Sequence, residues 1–346
     1  MIAHSKPTLG VGEVKILAET IASGNIAQGT LVQQFEKKTA SFIATKYAVA
    51  LNSGTSALHL ALLSLGIKNN DEVIIPSFTC TAILNAIHYT GAKAILADIN
   101  PEDYNISVSE IKKKLTRKTK AIIVPHMFGH PVDLAPILNL GPSVIEDCAQ
   151  SIGAMCHGRK TGSFGLLSVF SFYATKMMTT GEGGMVLTNS SILAKKIRDL
   201  RDYDEKSNYV TRYNYKITDL QAGIGIKQLF NLTNFIKRRQ QIAKQYTENL
   251  SGKDIALPAV KKNCTHVFYR YIIRIRQESR KFIKNMLKNN VVCCKPVYRP
   301  IHRYLGLSGF PNSEKAWRQA VSIPIYPSLS NENVKIILSN ILKYIK

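Results

Sequence analysis

The stretch Tyr47-Ala48-Val49-Ala50-Leu51-Asn52-Ser53-Gly54-Thr55-Ser56-Ala57-Leu58-His59-Leu60 decides the fold. Its first five residues predict a strand over Tyr47–Leu51, and the apolar run that follows predicts a helix over Ser56–Leu65. Between them Gly54 lets the backbone come close to a neighbour. The helix N-terminus and the Thr55 and Ser56 hydroxyls turn donors outward. Such a turn is a ready phosphate site, although Ser and Thr serve equally as ordinary helix caps.

Working outward, the same rhythm repeats. Strands are expected at Glu72–Pro76, Lys93–Asp98, Ala121–Pro125 and Val144–Asp147, with helices at Thr79–Tyr89, Val108–Leu115 and Asp133–Leu138 between them. Apolar strands alternating with helices predict an α/β fold whose mostly parallel central sheet carries helices on both faces. Ligands in such sheets sit at the carboxyl ends of the strands. A long helix is expected from Thr218 to Leu250. Beyond it a strand at Val267–Ile275, a helix at Ser279–Asn289, a strand at Val291–Val297 and a helix from Asn331 predict a smaller α+β domain. The division falls near residue 250, giving a large domain 1–250 and a small domain 251–346, hinged there.

Two further segments carry chemistry. Val144-Ile145-Glu146-Asp147-Cys148-Ala149-Gln150 puts two acids at the end of an apolar strand, and a carboxylate buried there needs a cation or strong donors. A protonated pyridine nitrogen would satisfy Asp147; capping the next segment is the plainer alternative. Ser171-Phe172-Tyr173-Ala174-Thr175-Lys176 lies between the apolar run Leu166–Phe170 and the loop Thr179-Thr180-Gly181-Glu182-Gly183-Gly184, which leads into a strand at Met185–Thr188. A lysine so placed suits imine chemistry, where a surface lysine in a turn is the ordinary case. Phosphate cradle, strand-end carboxylate and lysine before a glycine loop, in that order, are the parts that hold pyridoxal phosphate.

Composition limits the alternatives. With 346 residues, 45% of them apolar, the chain is long enough for a large core and too apolar for a disordered polymer. No apolar run approaches the roughly 20 residues of a membrane span, and Met1-Ile2-Ala3-His4-Ser5-Lys6-Pro7 lacks a signal peptide's apolar segment. A soluble, cytoplasmic protein is expected. The six cysteines show no paired or zinc-like spacing and read as reduced thiols, and no metal site is expected. The net charge is +23; residues 1–150 hold 13 basic and 12 acidic side chains, so nearly all the excess lies beyond them. That asymmetry points to an anionic partner or to a merely lysine-rich surface. Nucleic acid is not expected as a partner, because aromatic-interleaved arginines and a helix-turn-helix signal are both missing.

The sequence as a whole resembles the nucleotide-sugar aminotransferases, the DegT–StrS group of pyridoxal-phosphate enzymes with the aspartate-aminotransferase-like fold (transferase fold type I). The resemblance runs through Ile26-Ala27-Gln28-Gly29, Phe35-Glu36, the Asn52–Leu60 stretch, Pro76-Ser77-Phe78-Thr79, Glu146-Asp147-Cys148-Ala149-Gln150-Ser151-Ile152-Gly153-Ala154 and Gly162-Ser163-Phe164-Gly165. It continues over the Ser171–Gly184 run, Tyr213-Asn214-Tyr215-Lys216 and Leu220-Gln221-Ala222. It implies that Lys176 is the Schiff-base lysine, which also moves the proton. By the same resemblance Asp147 partners the pyridine nitrogen, Gln150 lies beside the cofactor ring, and Gly54, Thr55 and Ser171 bind the phosphate. Asn214 then reaches the neighbouring subunit's cofactor, which implies a homodimer with shared active sites, and Lys216 stands near substrate or phosphate.

Two positions depart from the family pattern. Cys80 stands where an aromatic often stacks on the cofactor, so that either Phe78 or another side chain covers that face or stacking is weaker, and Tyr173 replaces a frequent His. The related sugar dehydratases carry His in place of Lys176, so the lysine favours amino transfer over that branch. The resemblance implies a ping-pong reaction, with L-glutamate as donor and a keto-sugar on a nucleoside diphosphate as acceptor. Another pyridoxal-phosphate reaction, or an anion-binding protein that is no enzyme, are the rival readings. Arg270, Arg274, Lys295 and Arg299 are candidates for the diphosphate by composition alone. His126, His130, His266 and His302 read chiefly as structural, and Cys293-Cys294 as packing.

Overall fold

A computed structural model describes residues 1–345. Thirteen strands occur in it: β1 Tyr47–Leu51, β2 Glu72–Pro76, β3 Lys93–Ala97, β4 Thr119–Pro125, β5 Ser143–Asp147, β6 Met155–Cys156, β7 Arg159–Lys160, β8 Leu167–Ser171, β9 Gly184–Thr188, β10 Ile255–Ala256, β11 Cys264–Thr265, β12 Tyr271–Ile275 and β13 Ala320–Ile323. Seven of them form the central sheet in the order β1-β9-β8-β5-β4-β2-β3. Only β9 runs against the rest. The expected α/β fold with a mostly parallel sheet is therefore present.

Side chains alternate across this sheet. Val49, Leu51, Val73, Ile75, Ile123, Ile145, Val169 and Val186 pack on one face against helices Gly54–Ser64, Thr81–Tyr89 and Ser191–Leu200. On the other face Ala48, Ala50, Phe170, Met185 and Leu187 meet helices Thr30–Ile43 and Asp219–Leu250, while Ile74, Ile122, Val124 and Val144 meet the 108–138 segment. Both faces are dry, so the strands read as continuous apolar runs rather than alternating ones.

The small sheet β10-β12-β13 is antiparallel. Its core joins Tyr271, Ile273, Val321 and Ile323 to Phe282 and Met286, to Ile337 and Ile341 of the final helix, and to Ile242, Tyr246 and Leu250 from the end of the long helix. The amino terminus is tied into the same body: Ile2 bridges to Val291, donating to the Asn290 carbonyl at 2.7 Å and accepting from Val292 at 3.0 Å.

Two expectations here need correction. No strand covers 291–297: Val291 and Cys294 make only isolated bridges, and Pro296 lacks the N–H a ladder would need. The 267–275 strand starts only at Tyr271, because Phe268 takes φ +50° and the Val267 and Arg270 N–H groups turn to the Gly129 and Phe128 carbonyls. The place beside β12 goes instead to β13, delivered by helix Pro311–Gln319; neither element was foreseen.

Candidate active site

Because the strands are parallel, the ends of β1, β2, β4, β5 and β8 fall on one edge. Leu51, Gly184 and Ser171 stand in line across β1, β9 and β8, which brings the Asn52–Gly54 turn against Ser171. A Cβ on Gly54 would lie 2.9 Å from the Ser171 Cβ, and one on Gly184 would lie 2.1 Å from the Ser53 carbonyl oxygen. Only glycine fits either place. Ser53 caps the helix by accepting from the Ser56 N–H at 3.0 Å, and the first intrahelical bond runs from the Ala57 N–H to the Ser53 carbonyl. The Gly54 and Thr55 N–H groups precede that bond and point off the helix end, where the helix dipole favours an anion. Gly54, Thr55 and Ser171 are thus brought together.

Asp147 ends β5, buried, opposite Pro125 of β4. One carboxylate oxygen accepts from the Ala149 N–H at 3.0 Å. Burial raises its pKa above the usual carboxylate range, while the Ala149 N–H, the Lys176 charge and His126 pull the other way. A cation facing this carboxylate would relieve the cost of burying it. Gln150, three residues on, has its oxygen fixed by the Phe128 N–H at 2.8 Å, which leaves its amide nitrogen as the free donor.

Glu146, one residue earlier, faces the other way and is saturated. It accepts from the N–H groups of Gly162, Phe164 and Gly165, each at 2.7 Å, and from His126 Nε2 at 3.1 Å. His126 Nδ1 accepts from the Val132 N–H at 3.0 Å, which places the ring proton on Nε2. His126, Glu146 and Cys148 lie within 4.8 Å of one another, but with those lone pairs taken the group is a structural staple and not a metal cage. His130, His266 and His302 are likewise committed, to Asn105 and the Lys261 N–H, to the Phe268 N–H, and to Ser77 and Glu314.

Lys176 sits in the turn after β8, its N–H on the Tyr173 carbonyl at 2.9 Å. Its Nζ lies 5.4 Å from the ring centre of Tyr269. Tyr269 was not singled out from sequence, because it fell inside the strand expected at Val267–Ile275, where an aromatic reads as packing. It is buried, which would raise its pKa, yet the charges of Lys176 and Arg270, with Thr175 and Arg270 beside its hydroxyl, bring it down to about 8. Arg270 completes this corner, 5.1 Å from the same ring.

Other sequence candidates fall elsewhere. Asn214 is exposed, and its carbonyl accepts from Asn52 Nδ2 at 3.4 Å. Lys216 is held by Asp202 and Asp204, each at 2.6 Å, which raises its pKa. Phe78 is fully buried among Tyr104, Met127, Phe128 and Ile272 and has no face to offer a ligand, whereas Cys80 and Tyr173 are exposed. Arg274 donates to the Pro101 carbonyl, Lys295 to that of Trp317 and Arg299 to that of Arg303, so these three do not gather around Lys176.

Frame and edge are those of an α/β transferase that handles a small ligand where its strands end. Residues 7–342 match the DegT/DnrJ/EryC1/StrS aminotransferase family, and the chain belongs to it. It is an enzyme, an aminotransferase. Over 98% of its length it is 38% identical to GDP-perosamine synthase of Escherichia coli O157:H7, covering 97% of that protein. It is 34% identical to GDP-perosamine synthase of Vibrio cholerae, with 99% of each chain covered. The crystal structure of the aminotransferase TlmJ from Streptoalloteichus hindustanus superposes with a TM-score of 0.95 at 28% identity, over 99% of this chain and 98% of that one. Among the described residues no helix is long and apolar enough to cross a membrane.

Proposed function

We propose that the enzyme moves an amino group from L-glutamate to a keto-sugar carried on a nucleoside diphosphate, using pyridoxal 5′-phosphate. The observation that carries the reading is the joint placement on one sheet edge of Lys176, the buried carboxylate of Asp147 and the glycine-walled turn at Gly54. The two synthases similar to this chain favour a GDP-linked acceptor.

The residues fit the cofactor. The Gly54–Ser171 approach leaves the Gly54 and Thr55 N–H groups and the Thr55 and Ser171 hydroxyls for a phosphate. Asp147, whose burial disfavours its charge, suits a protonated ring nitrogen, and the Gln150 amide suits a ring oxygen. When bound, pyridoxal phosphate supplies the carbonyl that takes up nitrogen and the electron-accepting ring. Lys176 Nζ would hold the group covalently at rest. Once released, Nζ takes the proton from the donor's α-carbon and later delivers one to the sugar carbon that receives the nitrogen. Glutamate leaves as 2-oxoglutarate before the sugar reacts, which makes the kinetics ping-pong. The same reading has Asn214 reaching across a homodimer to the partner's phosphate, the enzyme working in the cytoplasm, and a division into domains 1–250 and 251–346.

The test is an absorbance spectrum of the purified protein, supplied with cofactor, before and after L-glutamate. A visible-edge band that moves to shorter wavelength with glutamate, and only when Lys176 is present, is the expected result. A bound cofactor that ignores glutamate would make this a different pyridoxal-phosphate enzyme, and a protein that binds none would refute the assignment of Lys176, Asp147 and Gly54 together.

A further inference from the structure

Tyr269 is bordered by cations, none of which forms a close ion pair with a carboxylate. Lys176 Nζ and Arg270 Cζ lie 5.4 and 5.1 Å from its ring centre. Behind it Arg239, 3% exposed, donates to the Phe268, Tyr269 and Ile325 carbonyls at 3.3, 3.2 and 2.8 Å and leaves Nε unpaired. Arg270 is bonded only to neutral groups: its Nη1 meets the His4 ring at 3.0 Å and the Cys294 sulfur at 3.5 Å. Among the described residues no Asp or Glu forms an ion pair with Lys176, Arg239 or Arg270.

Cations withdrawn from water without an anion are costly. Their field shows in the neighbours: burial, then Arg270 and Arg239, lower the His4 pKa to about 3, and Tyr269 is brought down to about 8.

We propose that Arg270, backed by Tyr269, binds the side-chain carboxylate of the amino donor and thereby selects a dicarboxylic donor. This rests on the reading of Lys176 as the transferring lysine. The planar guanidinium matches a carboxylate in two parallel hydrogen bonds. Lys176 and Arg270 border the same ring, and the proposal places the donor's nitrogen at Nζ and its far carboxylate at Arg270. The His4 ring and the Cys294 thiol close one side of Arg270. The groups facing Tyr269 are Thr175 and Lys176 from the turn after β8, Arg270 beside it and Arg239 from the long helix, with His4 and Cys294 behind Arg270, Asp147 beyond Lys176, and Glu102, Asp103, His130 and His266 lining the same cavity as Arg270.

Tyr269 reports the binding without cofactor. In the apoprotein at pH about 8, glutarate placed on Arg270 cancels part of the positive field, Tyr269 takes up a proton, and the ultraviolet tyrosinate band falls. Arg270→Gln removes that response. In the loaded enzyme Arg270→Gln lowers the preference for glutamate over alanine by about 10- to 100-fold, the range for losing a charged hydrogen bond, and Arg270→Lys recovers part of it. A melting temperature near that of the wild type shows that the variant is folded. The proposal is overturned if glutarate leaves the band alone or acts equally on Arg270→Gln, or if kcat/KM falls for the sugar acceptor in place of glutamate. A wild-type enzyme that ignores every amino donor would instead refute the reading of Lys176.

Discussion

The carboxyl edge of the large sheet and the seam where the small sheet docks on it treat buried polar groups in opposite ways. At the seam Asp98 accepts from the Ile99, Asn312 and Ser313 N–H groups and the Ser313 hydroxyl, all within 2.6–2.9 Å. Glu314 there accepts from His302 and from both arms of Arg303. At the edge Asp147 takes one backbone donor, Arg239 keeps an unpaired Nε, and Lys176 has only an aromatic face. The difference separates acids saturated by the fold from groups left with few partners. Adjacent residues divide the same way: Glu146 is saturated and Asp147 is not.

The largest effect expected from breaking the edge is Lys176→Ala, which lowers amino transfer by about 10³-fold or more while the melting temperature stays near that of the wild type, read by coupled assay and thermal melt. Next comes the neighbouring pair. Glu146→Ala leaves three N–H groups and His126 without an acceptor and costs about 3–5 kcal/mol of stability. Asp147→Asn costs no stability in the same melt but lowers turnover about 10²-fold. If the two variants exchange these signatures, the contrast drawn above fails. At the seam, Asp98→Ala costs about 2–3 kcal/mol, seen as a lower denaturation midpoint, with cofactor affinity unchanged.

The smallest effect is on pH. Hydrogen bonding to Arg303, outweighing its partial burial and aided by His302, lowers the Glu314 pKa from 4.5 to about 2. A depressed carboxylate stabilises the fold above its unfolded pKa, and that contribution is lost as pH falls from 4.5 through about 2. Arg303→Met should flatten the loss over that window in acid-unfolding curves.

Much of the frame was legible because strands buried on both faces are short apolar runs ended by Gly, Pro or Asp: β1 and β2 match their expected bounds, and β3, β4 and β5 lie within two residues of theirs. The C-terminal lobe read less well. Its residues at 267–270 and 291–297 hydrogen-bond to loops and to the amino terminus, partners that no local periodicity announces. The site divided likewise. Gly54, Asp147 and Lys176 lie where secondary structure changes and so stood out. Tyr269 and the staple at Glu146 depend on contacts between distant segments, such as the Phe128 carbonyl with the Arg270 N–H, and left no mark in spacing. Phe78, an attractive aromatic in sequence, proved to be core.

The long helix Asp219–Leu250 sets a mechanical rule for the molecule. Its 32 residues make a rod about 48 Å long. Ala222, Leu229 and Leu232 lie in one core and Ile242, Tyr246 and Leu250 in the other. A swing of the small lobe about residue 250 would pull those last three side chains out of their own core. Relative motion is therefore confined to bending the rod or sliding along it, and Arg239, between the two grips, rides on the part that must flex. Closure over a ligand would then move the Tyr269 corner as a shear of small amplitude, not as a jaw.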